Sequence, residues 1–186
     1  LVGGDVTSWP HPMAINVTLL ATESGVPAVR RSGARPGDAI MVTGSLGGSL
    51  ASGHHMTFTP RVAEARALAS AAELHAMIDI SDGLSTDLGH ILDESGVGAI
   101  VDAGAVPISD AARAAADPLA AALNDGEDFE LCFTCPPGDA DRLLAARPVE
   151  VPLTRIGVVT AGQSRILRFA GGPEVELKPR GWEHAI

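Results

Sequence analysis

Apolar and polar positions change their spacing several times along this chain. Over residues 13–22, Met13, Ile15, Val17 and Leu19 alternate with smaller or polar neighbours, and a period of two predicts a half-buried strand. A break follows at Glu23-Ser24-Gly25, and residues 30–38 are turn-rich and basic. Residues 39–43 form a short apolar run that reads as a strand, closed by the small-residue loop Gly44-Ser45-Leu46-Gly47-Gly48-Ser49. Pro60 suits the first turn of a helix running through residues 61–74. Residues 76–80 predict another apolar strand, ending in Ser81-Asp82-Gly83. Beyond it Leu84, Leu88, Ile91 and Leu92 share one face of a helix, with Gly96 as its cap.

Residues 99–101 continue as a strand. Ser109 is placed to cap a helix over residues 110–116, and Pro118 opens a second short helix. A strand at 129–134, a helix at 140–146 and closing strands at 156–159, 165–169 and 175–177 complete the pattern. Strands and helices interleave, with several strands in a row near the end. This predicts an α+β fold, a mixed β-sheet covered by helices. There is no internal repeat and no low-complexity linker.

With 186 residues the chain can bury one domain, or one domain and a fragment of another. Aromatics make up only 3% and Tyr is absent, so Ala, Val, Leu and Ile must build the core. The formal net charge of −10 repels nucleic acid and anionic lipid, and neither is expected as a partner. It also repels phosphorylated metabolites unless metal ions intervene. No apolar run reaches the length of a membrane span, and no charged segment followed by a long apolar stretch opens the chain. A cytoplasmic location is the expectation. The chain starts at Leu1, directly before a Gly-Gly-Asp turn, and reads as the middle of a longer protein.

The densest chemistry lies in Asp79-Ile80-Ser81-Asp82-Gly83, where a strand ends and a helix begins. Strand ends open into clefts, and helix N-termini present unpaired N–H groups to anions. Two carboxylates three apart can here hold Mg2+ that bridges phosphate oxygens. Capping by Ser81 or Asp82 accounts for the same residues without a ligand. Asp5 follows Gly3-Gly4 and is another candidate metal ligand, or part of an ordinary turn. Residues 125–130 gather Asp125, Glu127, Asp128 and Glu130 around a turn; they can contact a cationic substrate or form a solvated acidic loop. Arg30, Arg31 and Arg35 can clamp phosphate or sit as surface charge.

Cys132 and Cys135 lie in a strand, where positions three apart point to opposite faces, so a shared metal or disulfide is not expected. His54-His55 reads as a pair of loop histidines rather than a metal site.

Taken in order, five stretches resemble the thiamine-monophosphate kinases. They are Gly3-Gly4-Asp5-Val6-Thr7-Ser8, residues 31–38 (RSGARPGD), residues 79–84 (DISDGL) with Asp87-Leu88, residues 126–131 (GEDFEL), and Gly181-Trp182-Glu183-His184. The second and third are shared more loosely across the aminoimidazole ribonucleotide synthetase superfamily; the last two are narrower. The resemblance implies a C-terminal domain of the aminoimidazole ribonucleotide synthetase type over residues 27–186. Residues 1–26 would end an N-terminal ATP-binding domain that pairs with its copy in a homodimer.

It also implies ATP-dependent phosphorylation of thiamine monophosphate to thiamine diphosphate with Mg2+. Asp5, Asp79 and Asp82 would bind the metal. Gly4, Asp5, Arg31 and Ser81 would contact ATP, and Glu127 and Trp182 the substrate. No residue is expected to act as a catalytic base or nucleophile. Trp9, His11, Phe129 and Ala185 depart from the family pattern. Two other readings stand beside it. One is another ATP-dependent enzyme of the superfamily, of the hydrogenase-maturation or selenophosphate-synthesis type. The other is a non-catalytic binding domain.

Overall fold

A computed structural model describes residues 3, 4, 6–8, 10–20, 22, 25 and 27–181. Seven strands form one sheet: β1 (Ala39–Thr43), β2 (Ala76–Asp79), β3 (Gly98–Asp102), β4 (Leu131–Cys135), β5 (Leu153–Thr160), β6 (Arg165–Arg168) and β7 (Glu174–Glu176). Their order is β2-β4-β1-β5-β3-β6-β7. Only the β3–β6 pair is parallel, so the sheet is mixed. The helices are α1 (Ser49–Ser52), α2 (Val62–Ala71), α3 (Leu84–Ser95), α4 (Asp110–Arg113), α5 (Pro118–Asn124) and α6 (Pro137–Ala146).

The central strands are buried on both faces, which is why β1 reads as an uninterrupted apolar run rather than an alternation. Ile40 and Val42 join Leu84, Leu88, Ile91 and Leu92 of α3 in one core layer. Ala39 and Met41 face the other way, into a layer with Phe133, Leu68 of α2 and Leu143 of α6. The four apolar residues of α3 are at most 1% exposed. Each contributes about 2 kcal/mol by leaving water, and truncating Leu88 to Ala would cost about 2–5 kcal/mol. Gly96 ends α3 in the left-handed conformation, as its position in the sequence predicts. Cys132 packs in the first layer and Cys135 in the second, on opposite faces of β4.

Two expectations change. Residues 13–20 and 22 form no strand, and Met13, Ile15, Val17 and Leu19 are 77–88% exposed. A period of two marks a strand only where a neighbour supplies hydrogen bonds, and no strand of the sheet pairs with this segment. The helix expected to run to residue 74 ends at Ala71, where Ala72 turns extended and the Glu73 N–H is taken by the Asp139 carboxylate at 2.7 Å.

β1 and β2 both run antiparallel to β4. The segments leaving β1 and β2 therefore meet the segment entering β4 at one end of the sheet. That end carries the candidate chemistry.

Candidate functional site

The ladder between β2 and β4 continues past both strands. Ile80 N–H donates to Glu130 O at 2.7 Å, Phe129 N–H to Ile80 O at 2.8 Å, and Glu127 N–H to Ser81 O at 2.7 Å. Ser81 and Glu127, 46 positions apart in the numbering, are thus neighbours. The approach requires glycine beside it: a Cβ on Gly126 would lie 2.5 Å from Ser81 O. The same pairing holds Glu127 and Phe129 at φ 69° and 52°, a left-handed backbone that costs non-glycine residues about 1–2 kcal/mol each.

The turn after β1 clamps this loop. Gly47 N–H donates to both oxygens of Asp128, Gly48 N–H to Asp125 Oδ2 at 2.9 Å, and Ser49 Oγ to Glu127 O at 2.6 Å. The loop is not simply a solvated acidic turn. Asp128 and Glu130 are buried, and Glu130 is held by Thr43 and by the forked guanidinium of Arg61. Burial pushes the Asp128 carboxyl up to about 7; its bond from Gly47 opposes this only in part.

At the start of α3, Asp87 Oδ2 accepts from the N–H groups of Ser81 and Asp82 at 3.0 and 2.9 Å. Burial pushes the Asp87 carboxyl up to about 6. Asp82, Asp87 and His90 present ligand atoms within 4.8 Å of one another. Asp79 is exposed at the end of β2, and Asp82 is half-buried. Neither has a side-chain hydrogen bond or ion pair among the described residues. Carboxylate oxygens that support no other contact, such as those of Asp79 and Asp82, suit a hard divalent cation such as Mg2+.

The end of the described chain docks beside them. Arg180 N–H donates to Ser85 Oγ at 3.3 Å and Gly181 N–H to Thr86 Oγ1 at 3.2 Å. Gly181 packs so closely that an added Cβ would sit 1.8 Å from Asp82 O. Between these parts lies a cleft of about 640 Å³. Ser81 and Asp82 form one wall and Asp125, Gly126 and Glu127 another; Leu50 and Ala51 supply apolar surface, and Arg180 and Gly181 the rim.

The structure therefore brings Ser81, Asp82 and Glu127 to one cleft, with Asp79 at the neighbouring strand end. Arg31 is exposed and does not line the cleft; the Arg30 carbonyl before it accepts from Met77 N–H at 2.9 Å, along the outer edge of β2. Gly4 is exposed, with nothing within 4 Å of a Cβ placed there. Asp5 and Trp182 lie outside the described residues. Sequence reasoning quoted Asp87 in a family stretch without giving it a role, and did not single out Arg180. Asp87 carried a signal, an acid in the first turn of a helix; Arg180 carried none beyond standing next to Gly181-Trp182.

The two histidines at 54 and 55 begin a 3-10 turn and belong to no metal-ligand group among the described residues. Burial pushes both thiols, Cys132 and Cys135, up to about 12, so neither offers a thiolate nucleophile.

Residues 35–169 match the family model described as AIR synthase related protein, C-terminal domain. The chain is 40% identical over 190 residues to the thiamine-monophosphate kinase of Rhodopirellula baltica, covering 99% of this chain and 58% of that protein. It thus spans less than two thirds of that relative's length. The crystal structure of thiamine-monophosphate kinase from Stenotrophomonas maltophilia K279a superposes with a TM-score of 0.66 at 36% identity, over 77% of this chain and 53% of that one. The structure of AaThiL complexed with AMPPCP and TMP superposes with a TM-score of 0.65 at 29% identity, over 84% of this chain and 54% of that one.

Proposed function

The chain belongs to the AIR synthase related family through that family's C-terminal domain, and from this premise we propose that its cleft serves transfer of the γ-phosphoryl group of ATP to thiamine monophosphate. The observation that carries the reading is the pairing of Glu127 with Ser81. It sets an acid suited to a cationic ring and the carboxylate of Asp82 on two walls of one cleft. The reading also rests on the relatives, which are thiamine-monophosphate kinases over nearly the whole of this chain.

Asp79 and Asp82, with Asp5, would hold Mg2+, which when bound offsets the charge of two phosphates brought together. Ser81, at the strand end, offers a hydroxyl to the nucleotide, with Gly4 and Arg31 as further ATP contacts. Glu127 orients the thiamine end, and Trp182 offers an aromatic face to the thiazolium. A terminal oxygen of the acceptor phosphate forms a bond to the γ-phosphorus as the bond to ADP breaks. That oxygen is already ionised at neutral pH, so the protein needs to align two anions rather than supply a base. Among the described residues no helix is long and apolar enough to cross a membrane. A cytoplasmic enzyme, paired as a homodimer through a domain ending near residue 26, fits this reading.

The test is calorimetric titration of the chain with thiamine monophosphate, with and without Mg-ATP. Saturable binding strengthened by Mg-ATP is expected. No heat from a chain that melts cooperatively would overturn the acceptor assignment.

A further inference from the structure

Arg180 is the one basic residue among the described residues lining the cleft, where it stands with Asp82, Asp125 and Glu127. Its guanidinium has no hydrogen bond or ion pair among the described residues. By contrast, Arg61, Arg142, Arg165 and Arg168 each meet a carboxylate. Its backbone is nevertheless held in place. The N–H groups of Arg180 and Gly181 donate to Ser85 Oγ and Thr86 Oγ1, in the first turn of α3, next to Asp82. An uncommitted arginine fixed at the rim of an acid-lined cleft has a definite chemical use. Its fork accepts two oxygens of a phosphate at once, and its charge offsets the repulsion that the carboxylates impose on any anion entering.

The lining of the cleft thus carries both signs of charge. Glu127 and Asp125 suit a cationic group, and Arg180 suits an anionic one. Resting on the acceptor assignment made above, we propose that Arg180 binds the phosphate of the acceptor and so selects the phosphorylated molecule over its unphosphorylated parent. A site that pairs with a charged group rejects the analogue lacking that group, because the arginine is then left facing no partner. Arg180 also borders a second hollow beside α5 that contains Asp117, and a purely structural role there is the competing account.

The experiment titrates the chain, Arg180→Gln and Arg180→Lys with thiamine monophosphate and, separately, with thiamine. The unaltered chain should prefer the monophosphate. Arg180→Gln should weaken monophosphate binding about tenfold or more, the scale of one charge-assisted hydrogen bond, and leave thiamine binding as it was. Arg180→Lys should recover part of the preference by charge alone. A preference that survives in Arg180→Gln overturns the proposal while the acceptor assignment stands. Equal weakening toward both ligands also overturns it, since that is what structural damage would give; melting curves of each variant check the same point. If the unaltered chain binds neither ligand, the acceptor assignment falls and this proposal falls with it.

Discussion

Both carboxylate oxygens of Asp128 rest on a single donor, the Gly47 N–H, at 3.0 and 2.8 Å. One N–H is little compensation for a carboxylate that is 4% exposed, and burial accordingly pushes its pKa up to about 7. In the unfolded chain the group titrates near 3.9. Between about pH 4 and about pH 7 the folded state therefore holds a proton that the unfolded state has released, and stability falls as the pH rises through that window. Asn mimics the protonated acid. Asp128→Asn should match the unaltered chain in melting temperature near pH 5 and exceed it near pH 8. Melting curves across that range check this; parallel pH profiles for the two proteins would show that Asp128 is ionised throughout.

Glu127 sits at φ 69°, held by the Ser49 hydroxyl on its carbonyl and by the neighbouring Phe129, whose ring stacks on Phe58 with centroids 4.1 Å apart. The left-handed conformation costs a glutamate about 1–2 kcal/mol, and a glycine pays about 0.4–1 kcal/mol instead through the entropy of its unfolded chain. Glu127→Gly should therefore gain up to about 1 kcal/mol of stability while losing affinity for thiamine monophosphate. Denaturant unfolding and calorimetry on one preparation read both quantities. A clear loss of stability would mean that the Glu127 side chain, rather than the loop backbone, holds the clamp.

The sequence carried the parts of the fold that local patterns determine. Ala39–Thr43 read as a short apolar strand, and the fold buries all five residues. The spacing of Leu84, Leu88, Ile91 and Leu92, closed by Gly96, defined α3. The opposite orientation of Cys132 and Cys135 followed from strand geometry alone. What it could not carry was pairing at a distance. The contacts of Asp125, Glu127 and Asp128 with residues 47–49 span 77–81 positions. Read locally, those acids look like a solvated turn; in the fold they clamp the cleft. Residues 13–20 show the converse: their alternation is real, yet among the described residues no strand pairs with them to turn it into a ladder.

The carboxylate of Asp82, like that of Asp79, supports no part of the fold among the described residues. It has no hydrogen bond or ion pair among the described residues, and it lies close enough to Asp87 to raise the latter's pKa. Asp82→Asn removes a repulsion and breaks no contact. Its melting temperature should stay equal to or slightly above that of the unaltered chain, while the Mg2+-dependent strengthening of ligand binding disappears. Asp87→Asn, which loses a carboxylate that accepts from two backbone N–H groups, should destabilise by about 1–3 kcal/mol instead. If Asp82→Asn keeps its response to Mg2+, Asp82 is not a metal ligand.

The two cysteines offer a test of the packing itself. Both are fully buried, one in each core layer, with burial pushing their thiols up to about 12. Only a thiolate reacts with a disulfide reagent, and only when the reagent can reach it. Near pH 8 the folded chain should show no reactive thiol, and both should react once denaturant is added. The rate at intermediate denaturant should follow the unfolding equilibrium, because each thiol becomes available only when its layer opens. Modification of one cysteine in native buffer would mean that one face of the sheet opens on its own. Since Cys135 packs with Leu68 and Leu143, and Cys132 with the α3 layer, identifying the modified residue would tell which face it is.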